Sequence, residues 1–232
     1  MGQNEKRADR ITHLQRWHLQ RWSATRNRMG CKLGLFAFVL MPILLAGCGG
    51  DIGLVRPRQQ LVTGSFWVTP AHAWNSLKPK GFYGRKHVAL WTADGESLDF
   101  IAWISGMYSG SALFQLPHKL IKKREVPVFR SSMLIPEVAE FIKASYARAL
   151  GVTVFDILSL KPRDFGGYPG FVMEFRTVLH DEVPRRGLAA GAIVDGRLYL
   201  MLYQAAELHY YDRYRPDVLD MLDTLTLTPR RR

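Results

Sequence analysis

The 232-residue chain has only two cysteines, Cys31 and Cys48, and none after position 48. A disulfide scaffold and a cysteine-based metal site are thereby excluded for residues 49–232. Long apolar runs are also missing. The longest uncharged stretch runs from Leu33 to Gly50; its apolar part, Leu33 to Gly47, contains Pro42 and is followed by Cys48, Gly49, Gly50 and Asp51. A helix that crosses a bilayer needs about 20 apolar residues, so this run is too short. It has no polar face either, which argues against a core helix of a globular body. No Gly-rich phosphate loop, dinucleotide-binding fingerprint or kinase motif occurs. Acidic residues are the minority, 20 against 32 Lys and Arg, for a net charge of +12.

The N-terminal part has a recognisable order: a basic lead, a short apolar core, then small residues. That order marks a secretory signal. Its end, Leu45-Ala46-Gly47-Cys48, resembles the lipobox of bacterial lipoproteins. The resemblance implies that residues 1–47 are removed and that Cys48 becomes an acylated first residue bearing diacylglycerol and an amide-linked fatty chain such as palmitate. Residues 1–31 are long for a lead, and Met29-Gly30-Cys31-Lys32 would open a signal of ordinary length. We therefore take Met29 as the expected initiator. Ile11, Leu14, His18, Leu19 and Trp22 fall near helical spacing, so a basic amphipathic helix on anionic lipid is the alternative. In enterobacterial sorting an Asp directly after the cysteine retains the protein at the inner membrane. Gly49 holds that place, which favours the outer membrane.

The segment expected to be removed holds eight Lys or Arg and two acids, half of the excess charge. The remaining chain, roughly 185 residues, is mildly basic and long enough for one domain with a real core. Its one strong interior cluster is Lys119, Lys122, Lys123 and Arg124, read as a solvated loop that could also meet anionic headgroups. A nucleic-acid partner is not expected, because that needs a clustered basic face.

Residues 48–61 read as a lipidated N-terminus and tether, with Gly53, Pro57 and no periodicity. A first strand is expected over Gln60–Thr69. His87–Thr92 and Ser97–Ile104 flank Ala93-Asp94-Gly95-Glu96 as a hairpin, with Leu98, Phe100, Ala102 and Ile104 on one face and Asp99, Ile101 and Trp103 on a half-covered other. Residues 106–128 are expected to loop. Pro136 to Leu150 is the best helix, stopped by Gly151. Strands follow at Val152–Leu160, Phe171–Val178, Gly187–Val194 and Arg197–Tyr203, the last two joined at Asp195-Gly196. Both faces of Arg197–Tyr203 are apolar, so a central, doubly covered strand is expected. Ala205 to Tyr214 reads as a turn region, Pro216 to Leu225 as the second helix, and Thr224–Leu227 as a short closing strand.

This order predicts an α+β fold, a meandering and mostly antiparallel sheet of about six to seven strands with two main helices packed on it. The expected layout is a single globular domain over 62–228 and a basic tail over 229–232. Val68-Thr69-Pro70-Ala71-His72-Ala73-Trp74 resembles the strand–Pro–Trp opening of PsbP-like domains, and Gly170–Phe175, Asp195–Tyr199 and the final helix fit the C-terminal half of that type. The resemblance would span Thr63 to Leu227. Members bind different partners and share no one reaction, so it implies a fold and no activity.

Candidate chemistry is sparse. Ser109 sits in Met107-Tyr108-Ser109-Gly110-Ser111, which lacks the first Gly of a nucleophile elbow. Glu207-x-His209-x-x-Asp212 is the densest ligand set, yet no second His adjoins it. His72, His87, His118 and His180 are scattered. Asp94 and Glu96 belong to a hairpin turn, and Asp99 lies beside them. Neither a catalytic residue, a metal nor a cofactor is therefore expected. The many aromatics are read chiefly as core. The sharper alternative makes Trp74, Trp91, Tyr210 and Tyr211 a binding surface. The expected function is a membrane-anchored, periplasm-facing lipoprotein, held through lipidated Cys48. It would be a non-enzymatic binding or structural module of the bacterial envelope with an envelope protein as partner. The alternatives are a periplasmic hydrolase and a small-ligand carrier.

Overall fold

A computed structural model describes residues 52–84, 86–115 and 126–230. The expectations for the lipobox, Cys48, His118 and the Lys119–Arg124 cluster lie outside these residues. Among the described residues eleven strands, β1 to β11, form two sheets: Ile52–Val55, Gln60–Val62, Phe66–Val68, Trp74–Leu77, Val88–Thr92, Asp99–Met107, Val154–Asp164, Pro169–Val178, Pro184–Val194, Arg197–Ala206 and Thr226–Leu227. The main sheet has eight strands in the order β1-β4-β5-β6-β10-β9-β8-β7, and a small sheet has the order β11-β3-β2. Every pairing in both is antiparallel. Among the described residues two α-helices, α1 (Ile135–Ser145) and α2 (Tyr210–Asp223), complete the α+β fold.

Strand β10 explains the layering. Leu198, Leu200 and Leu202 enter one apolar cluster with residues of α1, while Tyr199, Met201 and Tyr203 enter another with residues of α2 and the small sheet. All six side chains are buried. A strand apolar on both faces is stable only when both are covered, and its neighbours β6 and β9 hold it at the centre. The same logic corrects the expectation for β6. Asp99, Ile101 and Trp103 lie on a fully covered face, not a half-covered one.

The sharp turns follow local chemistry. Asp195 and Gly196 have φ of 50° and 73°, the pair of left-handed conformations that a two-residue hairpin loop requires. On the other hairpin the Asp99 carboxylate accepts the Ala93 amide at 2.6 Å and the Asp94 amide at 2.8 Å, so it folds the turn back on itself. Helix α1 opens with Glu137 accepting the Leu134 amide at 2.8 Å and passes into a wider turn, Tyr146–Leu150, that ends on Gly151 with φ 65°.

Four further expectations are corrected. The strand count is eight in the main sheet and three in the small one, against six to seven. The extra strands are short pieces at the N-terminus, where Gln60–Thr69 is a tight hairpin of β2 and β3 around Thr63 and Gly64 instead of one strand. The stretch expected as a tether supplies β1, paired along its length with β4, so the folded body begins at residue 52 and not at 62. Helix α2 starts at Tyr210, six residues before Pro216, and the proline sits inside it. Tyr211, Tyr214, Val218, Met221 and Leu222 recur at helical spacing and are buried, which outweighs the hydrogen bond that Pro216 cannot donate.

Candidate functional site

Among the described residues an open groove of about 720 Å³ runs along α1. One wall is the segment from Val126 to Met133 and the other is the helix. Glu137, Glu140, Ala144 and Arg148 succeed one another at intervals of three or four residues, so they line one stripe of the helix. Phe141, buried beneath them, belongs to the floor. Val126, Val128 and Met133 make the facing wall apolar, and Arg130 stands 3.9 Å from Glu137 at the rim. The lining carries no histidine, cysteine or hydroxyl side chain. Its chemistry, an apolar trough edged by charges of both signs, suits recognition of a side-chain-rich segment.

The structure disperses the sequence candidates. The Ser109 hydroxyl accepts the Ser131 amide at 3.4 Å in an exposed turn. Glu207 pairs with Arg176 at 2.9 Å, Asp212 approaches Arg186 at 3.9 Å, and His209 stands just before α2 with φ 69° and no side-chain capping bond. Among the described residues no group of three or more His, Cys, Asp or Glu stands close enough to hold a metal ion. His87 lies 2.9 Å from the Arg230 guanidinium, and burial followed by that charge pushes its imidazole below the ordinary value. His180 packs beneath Gly151. Asp94 accepts the Tyr214 hydroxyl at 2.6 Å, and burial pushes the Asp99 carboxyl up despite the donors around it.

Of the four aromatics proposed as a surface, Trp74, Trp91 and Tyr211 are buried in the α2-side core, so they cannot present an exposed face. Tyr210 alone is half-buried. Trp74 is held by a partner that the sequence reading missed. Asp217, on α2 and 2% exposed, accepts its indole Nε1–H at 2.9 Å and the Ala71 amide at 2.6 Å. The His72 amide and ring nitrogen Nδ1 lie 3.4 and 3.5 Å from the same carboxylate. Nearby, Glu174 binds Arg215 at 2.5 Å and Arg186 at 3.4 Å, while Arg186 stacks 4.4 Å over the Tyr211 ring. These groups fasten α2 to the sheet. The groove was missed as well. Its two walls are neighbours in sequence, between Val126 and Arg148, but only the fold turns them face to face, and the spacing of Glu137, Glu140 and Ala144 reads simply as the solvent side of a helix.

No family model matches the chain, and no curated protein matches it. Similar solved structures include cyanobacterial PsbP (CyanoP) from Synechocystis sp. PCC 6803, at 16% identity and a TM-score of 0.48, covering 79% of this chain and 99% of that one. They also include LpqN of Mycobacterium tuberculosis, described as involved in cell envelope biogenesis, at 9% identity and a TM-score of 0.32, covering 79% and 88%. At these scores neither likeness says what the chain does. Among the described residues no helix is long and apolar enough to cross a membrane.

Proposed function

We propose that the chain is an envelope lipoprotein, anchored through acylated Cys48 on the periplasmic side of the outer membrane, and that it works as a non-enzymatic binding module. The observation that carries this reading is the sequence Leu45-Ala46-Gly47-Cys48, which follows a basic lead and an apolar core and stands directly before the folded body. Anchoring confines encounters to the membrane plane and raises the effective concentration of a partner held there. The α1 groove is the surface assigned to that partner, an envelope protein offering a segment with apolar and charged side chains.

Two measurements test the proposal. Wild-type chain should fractionate with membranes and show an acyl adduct by intact mass, and Cys48→Ser should lose both. An unchanged mass and fractionation pattern would refute the anchor. Crosslinking from the anchored protein should then recover a stoichiometric partner that Ala144→Arg loses, because the new side chain fills the trough without entering the core. Equal recovery by both forms would refute the groove as the binding surface.

A further inference from the structure

Strand β1 is an edge strand without the devices that normally protect one. Among the described residues it pairs with β4 on one side only and ends the main sheet. Its sequence, Ile52-Gly53-Leu54-Val55, carries no charge and no proline. Exposed edges of this kind invite pairing, and soluble proteins blunt them with Lys, Pro or a bulge. Two of its side chains, Ile52 and Leu54, are 62% and 64% exposed. Both point to the α1 side of the sheet, since Ile52 is opposite Leu77 and Leu77 is opposite Leu90 of that cluster.

The distance from the anchor decides what can cover them. Three residues, Gly49, Gly50 and Asp51, separate Cys48 from Ile52. Four extended steps span at most about 14 Å. The headgroup zone of one leaflet is itself about 5–7 Å deep. A domain whose first strand begins so near the acylated residue cannot stand off from the bilayer. The residues that would have formed a flexible spacer are paired into the sheet instead. Arg56 and Arg58, both exposed, follow immediately in the turn after β1 and add positive charge where anionic headgroups lie.

We infer that the β1 edge is a membrane-contact surface, with Ile52 and Leu54 seated in the lipid headgroup region and Arg56 and Arg58 against anionic lipid. The inference rests on the lipoprotein reading, since the acyl anchor sets the distance. Apolar side chains at the interface and flanking arginines are the pattern that interfacial binding uses. The occupant is the bilayer that carries the anchor. A second outward apolar pair, Leu61 and Trp67, cross-strand neighbours in the small sheet, belongs to the opposite side of the molecule, because the small sheet covers the α2-side core. Both pairs cannot rest on one flat membrane, and only the β1 pair is tied closely to the anchor.

The test uses the full processed chain in vesicles of phosphatidylethanolamine and phosphatidylglycerol that contain a doxyl-labelled lipid. Cys31 is lost with the signal and the Cys48 thiol is acylated, so an introduced cysteine takes the fluorophore alone. Labels go at Leu54→Cys, Trp67→Cys and Leu158→Cys, the last on β7 at the far edge of the sheet and 50% exposed. The label at 54 should be quenched about twofold or more beyond the label at 158, as interfacial depth requires. In an Arg58→Cys probe, adding Ile52→Glu and Leu54→Glu should bring quenching down to the level at 158. Equal quenching at 54 and 158 overturns the inference, as does stronger quenching at 67 than at 54. Energy transfer between labelled chains that rises with protein density, without lipid quenching at 54, would give the edge to a second copy and overturn it too. Intact mass separates the two readings. An acyl adduct with no quenching at 54 removes the surface alone, whereas a missing adduct removes the anchor and the surface together.

Discussion

Asp217→Ala should unfold the chain more readily than any single loss on the surface, and the reason is geometric. The carboxylate is 2% exposed and collects the Trp74 indole at 2.9 Å and the Ala71 amide at 2.6 Å. Removing it takes the acceptor away from both donors. Trp74 is completely buried, so its N–H finds no water, and an unsatisfied buried donor costs about 1–3 kcal/mol. Ala71 is exposed and can rehydrate, so it forfeits only a net hydrogen bond, about 1 kcal/mol. The expected loss is about 3 kcal/mol. For a domain of this size that lowers Tm by about 6–12 °C. Asp217→Asn should rescue it only in part, since its one carboxamide oxygen can accept from Trp74 or from Ala71 while the NH2 group faces the other donor. Trp74→Phe removes one stranded donor, so Trp74→Phe with Asp217→Ala should cost less than the two single losses added, by about 1–2 kcal/mol. Urea unfolding followed by fluorescence and circular dichroism reads all four forms. A loss under about 1 kcal/mol for Asp217→Ala, or strict additivity, would show that the carboxylate does not hold the loop before β4 against α2.

Gly191→Ala should cost about 3 kcal/mol by chemical denaturation, because the new methyl would collide with the Tyr199 carbonyl oxygen on the paired strand and backbone cannot yield cheaply; a neutral result would mean that β9 shifts without penalty. Burial raises the Asp99 carboxyl above its ordinary 3.8, so the folded chain holds a proton there that the unfolded chain releases first. Stability therefore falls as pH climbs from that value through the raised one, and Asp99→Asn should flatten this slope in pH-dependent unfolding, whereas parallel curves would refute it. The Arg185 guanidinium, 2.6 Å away, holds the Asp181 carboxyl at about 2, and Arg185→Ala should return it toward 3.8 in a carbon-detected NMR titration. An unmoved midpoint would assign the shift to the backbone.

The hairpins were legible because two independent cues coincide at each. Asp94-Gly95 and Asp195-Gly196 supply turn chemistry, and the flanking strands alternate at period two, although only Asp195-Gly196 makes a tight two-residue turn; the first turn runs on through Leu98, so β6 starts at Asp99 and not at Ser97. The central position of β10 was legible for a related reason, since a strand apolar on both faces has nowhere else to go. Strand β1 carries no such cue. Four residues with a glycine among them have little intrinsic preference, and Ile52–Val55 becomes a strand only because β4 offers an edge. The start of α2 was hidden by composition. Tyr210, Tyr211 and Tyr214 with Pro216 look like a turn, yet the buried partners of Tyr211 and Tyr214 exist only once the sheet has formed. Asp217 was illegible in the same sense, because its donors lie about 145 residues earlier in the chain.

Those long-range polar contacts also bear on what the domain can do. Asp217 is engaged by the loop before β4, Asp99 by its own hairpin, Glu174 by Arg215 and Arg186, and Glu207 by Arg176. A carboxylate fixed by such donors holds its place, and to act as a base it would have to abandon contacts that join a helix or a turn to the sheet. The buried and half-buried acids therefore make the scaffold rigid. A rigid scaffold loses little conformational entropy when a partner docks, which favours binding at a preformed groove such as the one along α1.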